Sequence, residues 1–223
     1  MKVPLAFVFS LAIVAQAGKP PDHWPALVIC MNAGPGSGFP ETRAEDLASK
    51  IFRAIGIALD WHHGDHGCKL PAETTIHIDM STATREDKFP GALAVARLGD
   101  AAHHIEVFYD RIRATVEPPL VPSLLAHVLA HEITHILEGL NRHSEQGIMK
   151  AHWNELDYRE MSYQLLAFAA EDIDLLHRQI GTSEVANNRP AHGRSVSGLR
   201  SGGESISFAP PAVSPSSNAS IVP

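Results

Sequence analysis

Between Leu124 and Leu137 the chain is apolar at most positions, with Pro122-Ser123 offering a helix start and Gly139 a stop. That stretch reads as a buried helix. A buried helix tolerates idle polar groups badly, because an imidazole or carboxylate taken out of water without a partner is costly. Yet His131, Glu132 and His135 all fall inside it. Any fold that buries this helix must also bring something to those three side chains.

The spacing indicates what that is. His131 and His135 are four residues apart, so on a helix they project from one face and can hold one zinc ion. Glu132 is rotated by about 100° and can reach a metal-bound water without becoming a ligand. Zinc lowers the pKa of such a water towards about 7, and the glutamate can then accept its proton. Histidine is also abundant, with 14 residues in 223, and it is the commonest metal ligand. The alternative is a buried helix whose histidines are simply hydrogen-bonded. A catalytic zinc needs a third protein ligand and an open fourth position. Gly139 lets the chain turn back after the helix, which makes His143 the candidate.

The run HEITHILEGLNRHSEQGIM, from His131 to Met149, resembles the active-site segment of metzincin zinc endopeptidases, especially their matrixin-like branch. The resemblance implies one catalytic Zn2+ held by His131, His135 and His143, with Glu132 as the base. It further implies that Gly139 makes the turn and that Met149 is the methionine of the turn beneath the ion. Ser144 matches the residue after the third histidine. The implied fold is a twisted mixed sheet above the active-site helix, with an antiparallel edge strand lining the cleft. One departure marks a divergent branch: His143 follows His135 by eight residues, where the family pattern has six. Two extra residues must be absorbed between Glu138 and Arg142. Glu155, 20 residues after His135, stays open as the third ligand on a spacing resembling thermolysin-like gluzincins.

Other histidines carry weaker expectations. His127 reads as a core or rim residue, and His152 as a neighbour of the methionine turn that could stabilise an oxyanion. His62, His63 and His66 cluster near Asp65, where a solvated polar loop is the default and a second metal site the alternative.

The rest of the sequence supplies the setting. Residues 1–17 read as a signal peptide: Met1-Lys2, an apolar run, and small residues at Ala15 and Ala17. Nothing after them is expected to cross a membrane, so the chain should be exported without a stable anchor. An oxidising compartment would allow Cys30 and Cys68 to pair, two unpaired thiols being the alternative. Residues 18–25 read as a linker, 26–181 as the catalytic domain, and 182–223 as a disordered Ser/Gly/Pro-rich tail carrying a glycosylation sequon at Asn218. Strands are expected near 26–31, 57–61, 74–80, 92–98 and 105–112, and helices over 40–56, 124–137 and 155–180 with a break near Phe168. That order gives an α+β fold with helices layered on one mixed sheet. A net charge of −7, from 18 basic and 25 acidic residues, argues against nucleic-acid binding. The expectation is an exported zinc endopeptidase acting on peptide or protein substrates. A non-catalytic metal-binding module and a zinc amidase for another amide are the alternatives.

Overall fold

Successive side chains of a strand point to opposite faces of the sheet, so alternating burial marks a strand with one face packed on the core. The computed structural model describes residues 26–32, 39–64, 68, 75–98, 103–187 and 204–208. In β3, Thr75–Ser81, residues Ile76, Ile78 and Met80 are buried, while His77, Asp79 and Ser81 lie on the other face. With β1 (Leu27–Asn32), β2 (Leu59–His63), β4 (Ala94–Leu98), β5 (His103–Phe108) and β6 (Glu204–Phe208), it forms a six-stranded sheet of order β2-β1-β3-β5-β4-β6. β1 runs parallel to β2 and β3, and β3 parallel to β5. β4 is antiparallel to both β5 and β6.

Helix α1 (Phe39–Arg53) falls between β1 and β2 in sequence and buries Ala44, Ala48, Ile51 and Phe52. A short helix, α2 (Tyr109–Thr115), follows β5 directly, and a 3-10 turn over Pro118–Leu120 leads into α3 (Val121–Glu138). Two more follow: α4 (Glu155–Met161) and α5 (Ala170–Asn187). α3 packs against α1, β4 and α5, so its apolar residues join those of the sheet in one core. The result is an α+β mixed sheet covered by helices, with the helix that carries His131 and Glu132 at its centre.

Three expectations are corrected. The run from Ile105 to Ile112 is not one strand: β5 stops at Phe108 and α2 begins. Helical geometry there lets Arg111 donate to the carbonyls of Arg85, Lys88, Phe89 and Ala92, while Asp110 accepts from Thr84. Those remote acceptors outweigh the β-branched composition. β2 starts at Leu59 rather than Ile57, because Gly56, at φ 82°, and Ile57 complete the turn that ends α1. Pro118–Glu138 is long and apolar enough to cross a membrane, contrary to expectation, yet most of it is buried inside the protein as a core helix. Within the Ser/Gly/Pro-rich segment from 182 onward, α5 continues to Asn187 and Glu204–Phe208 pairs along β4. β4 is therefore antiparallel as expected, but β6 occupies its outer side. The leader, the linker and the sequon lie outside the described residues.

Cys30 sits mid-strand on β1, on the face opposite Ile29 and Met31, and forms a disulfide with Cys68 at a Cα–Cα distance of 5.5 Å. The closed loop spans 38 residues. Replacing both cysteines by serine is expected to cost up to about 4 kcal/mol on the chain-entropy estimate. Denaturant midpoints of the oxidised protein and the double variant check this; equal midpoints would show that the bond constrains nothing in the unfolded chain.

Candidate metal centre

α3 places the first two histidines by its own geometry. Pro122 occupies its first turn, where a missing N–H costs nothing, and the helix ends on Gly139 in the left-handed conformation, φ 63°, whose N–H donates to His135 O. Along this span His131, Glu132 and His135 are completely buried. The His131 and His135 rings lie 4.6 Å apart, and the His143 ring approaches them to 5.3 and 5.0 Å. One nitrogen from each of the three falls within 4.8 Å of the others.

The tautomers show why these nitrogens fit a cation. His131 Nδ1–H donates to Ile148 O at 2.8 Å and His135 Nδ1–H to Leu140 O at 3.0 Å. A carbonyl only accepts, so both protons sit on Nδ1 and both Nε2 lone pairs remain. These two Nε2 atoms face each other at 3.0 Å. Burial holds His135 down to about 4 and His131 well below the usual histidine range, so neither ring carries a second proton near neutral pH. His143 Nε2 is also buried and has no hydrogen-bond partner. The two facing Nε2 lone pairs, with no proton between them, repel one another, and the His143 ring closes on the same point. A zinc ion would remove that conflict, and His131, His135 and His143 would hold it.

Glu132 points elsewhere on the same turn. Both carboxyl oxygens are buried and unpaired. Burial pushes the group up to about 8, against a smaller opposing pull from the Ala96 backbone on β4 that completes no hydrogen bond. An ionisable group kept in this condition within an apolar core is expensive. A neighbouring cation would compensate by favouring its charged form.

The loop after Gly139 brings in the third histidine. The eight-residue spacing is accommodated on both sides of the turn, for Gly139 stands four residues from His135 and four from His143. Glu138 is buried on the last helical turn and forms an ion pair with Arg142 across it, Nε to Oε2 at 3.4 Å. Beyond His143 the chain closes on itself: Ser144 N–H donates to Met149 O at 2.7 Å and Ile148 N–H to Ala167 O at 3.1 Å. Met149 is fully buried, and its neighbour Ile148 supplies the carbonyl that orients His131. Gly147 adopts φ 75°, and a Cβ there would lie 2.3 Å from Ala167 O. Gly147→Ala is therefore expected to destabilise by at least about 2 kcal/mol, combining a left-handed alanine with an overpacked contact. A denaturant midpoint matching wild type would refute this.

The remaining candidates separate cleanly. Glu155 is exposed at the start of α4, whose cap is Asn154, and it is not among the converging groups. His127 is a satisfied core residue: Nδ1–H donates to Ser123 O and Nε2 accepts from Leu166 N–H. His62 pairs with Asp60 and His63 with Glu45, while His66 lies outside the described residues. The three histidines on α3 and its following loop are the one metal-type cluster among the described residues. His152 is exposed, and its charge adds to burial in lowering the His143 pKa. Trp153 escaped the sequence reading. It is fully buried with its ring edge-on to His131 at 5.8 Å, and donates from Nε1 to Gly147 O. Its place four residues after Met149 was the available signal.

No family model matches the chain. No curated protein matches it either. Among solved structures, the crystal structure of archaemetzincin from Methanopyrus kandleri is similar with a TM-score of 0.48 and 14% identity, covering 74% of this chain and 99% of that one. A likeness at this level adds nothing to the chemistry, which rests on the three histidines. None of the site's features singles out a matrixin-like branch, and that finer assignment is dropped.

Proposed function

We propose that the chain is a zinc-dependent peptidase that cleaves peptide bonds within its substrates. One observation carries this reading: three imidazole rings converge, and the helix that supplies two of them also carries a buried carboxyl group with no hydrogen-bond partner. His131, His135 and His143 hold the ion. When bound, zinc polarises a carbonyl and acidifies water. Glu132 takes the proton from the attacking water at a carboxylate oxygen and returns it to the leaving amine nitrogen. The carbonyls of Ile148 and Leu140 fix the tautomer and direction of His131 and His135. A site that only stores metal needs the three histidines but gives Glu132 no task, so its costly burial favours turnover. The leader pattern of residues 1–17 and the Cys30–Cys68 disulfide support action outside the cytosol.

Metal analysis of the purified protein, combined with a peptide-library cleavage assay, tests the reading. One zinc per chain is expected, with cleavage abolished by a chelator and restored by added zinc. Zinc-loaded protein that cleaves no peptide would overturn peptidase function. Activity on a non-peptide amide alone would redirect it to the amidase alternative.

A further inference from the structure

The structure assigns Asp172, on the first turn of α5, as the positioning residue for His143; the inference rests on the metal centre proposed above. His131 and His135 are oriented twice, by the helix that carries them and by a carbonyl on Nδ1. His143 has neither support: it stands on a loop, and its ring makes no such bond among the described residues. Its direction must come from the residues on either side, and both of them reach the same carboxylate. Arg142 Nη2 and Ser144 Oγ donate to Asp172 Oδ1, the latter at 2.5 Å, and Ala169 N–H donates to Oδ2 at 3.2 Å. Asp172 is completely buried.

Arg142 also reaches back to Glu138 at the end of α3, so one guanidinium ties the loop to two helices. Ser144, on the other flank, holds Asp172 through its hydroxyl and Met149 through its N–H. His143 is thus fixed from both neighbours onto α5, in the segment lengthened relative to the metzincin spacing. A longer loop has more conformations to lose when the ligand is fixed, and charge-assisted hydrogen bonds to a buried carboxylate are strong enough to select one. The carboxylate is also charge-matched by Arg142, as a buried ion needs to be.

The test is zinc affinity, measured by competition with a chromophoric chelator, together with the d–d spectrum of the cobalt-substituted protein. Neither readout requires turnover. Asp172→Asn keeps the shape but loses the charge. It is expected to weaken zinc binding by about 10–100-fold, the usual effect of removing an outer partner of a ligand, and to change the cobalt spectrum. At saturating zinc, kcat should fall while KM stays near wild type. Leu176→Ala, which removes a buried side chain from the same helix, is expected to lower the melting temperature and leave affinity and spectrum unchanged. A folded Asp172→Asn protein with wild-type affinity and spectrum overturns the assignment. Should that variant not fold, Ser144→Ala and Arg142→Lys each remove or loosen one tie and are expected to weaken zinc binding. Wild-type affinity in both would overturn it as well. Zinc binding without cleavage in the wild type would defeat the peptidase reading and leave this assignment standing, whereas absence of zinc binding would defeat both.

Discussion

Glu132→Gln is expected to retain zinc and lose cleavage by about 10²–10⁴-fold, the range for a positioned general base. The substitution keeps size and hydrogen-bonding capacity but removes the group that can take a proton. Metal retention follows because Glu132 is not one of the converging ligands. The fold should tolerate the change, since both oxygens of the native side chain are unpaired and buried and a neutral amide is less costly there than a charge. The comparison must be made at equal zinc occupancy. Cleavage at the wild-type rate under that condition would remove Glu132 from the mechanism.

The second large effect concerns the ligands. Apparent zinc-binding free energies of about 10–16 kcal/mol, shared among three ligands, give roughly 3–5 kcal/mol for each, or on the order of 10²–10⁴-fold in affinity. His131→Ala, His135→Ala and His143→Ala are each expected to show a loss of that order. Glu155→Ala should bind zinc as wild type does, because Glu155 is exposed on α4 and outside the cluster. Zinc content after dialysis against a weak chelator distinguishes the four. Normal retention in His143→Ala with loss in Glu155→Ala would reverse the assignment of the third ligand.

What was legible in the sequence was local. Two histidines four apart on an apolar helix share a face whatever surrounds them, and a glycine that ends the helix puts the next histidine within reach. The alternation in β3 and the apolar run of β1 are equally local, and both strands lie near the expected positions. What escaped depends on partners far along the chain. Phe108 ends a strand because Arg111 finds four carbonyls between Arg85 and Ala92, a demand invisible in residues 105–112 alone. Asp172 looks like an ordinary acidic residue in a helix's first turn, yet it is buried beneath a loop 28 residues earlier. Histidine abundance overstated the metal chemistry. His104 hydrogen-bonds Asp79, and His127 serves the core.

β6 gives the sheet a different boundary from the one that the compact domain alone would have. Along β4, Ala94 to Leu98 are matched by Phe208 to Glu204 in antiparallel register, so amides and carbonyls on that side are answered by the chain's own late segment. A strand with one bare side is a template for any extended backbone, including that of another copy. The chain thus carries its own guard against adhesion. A version ending at Asn187 would keep all three histidines and Asp172 but present β4 as a sticky margin beside the helix of Glu132. Its tendency to clump would then speak of a lost neighbour strand, with the metal centre intact.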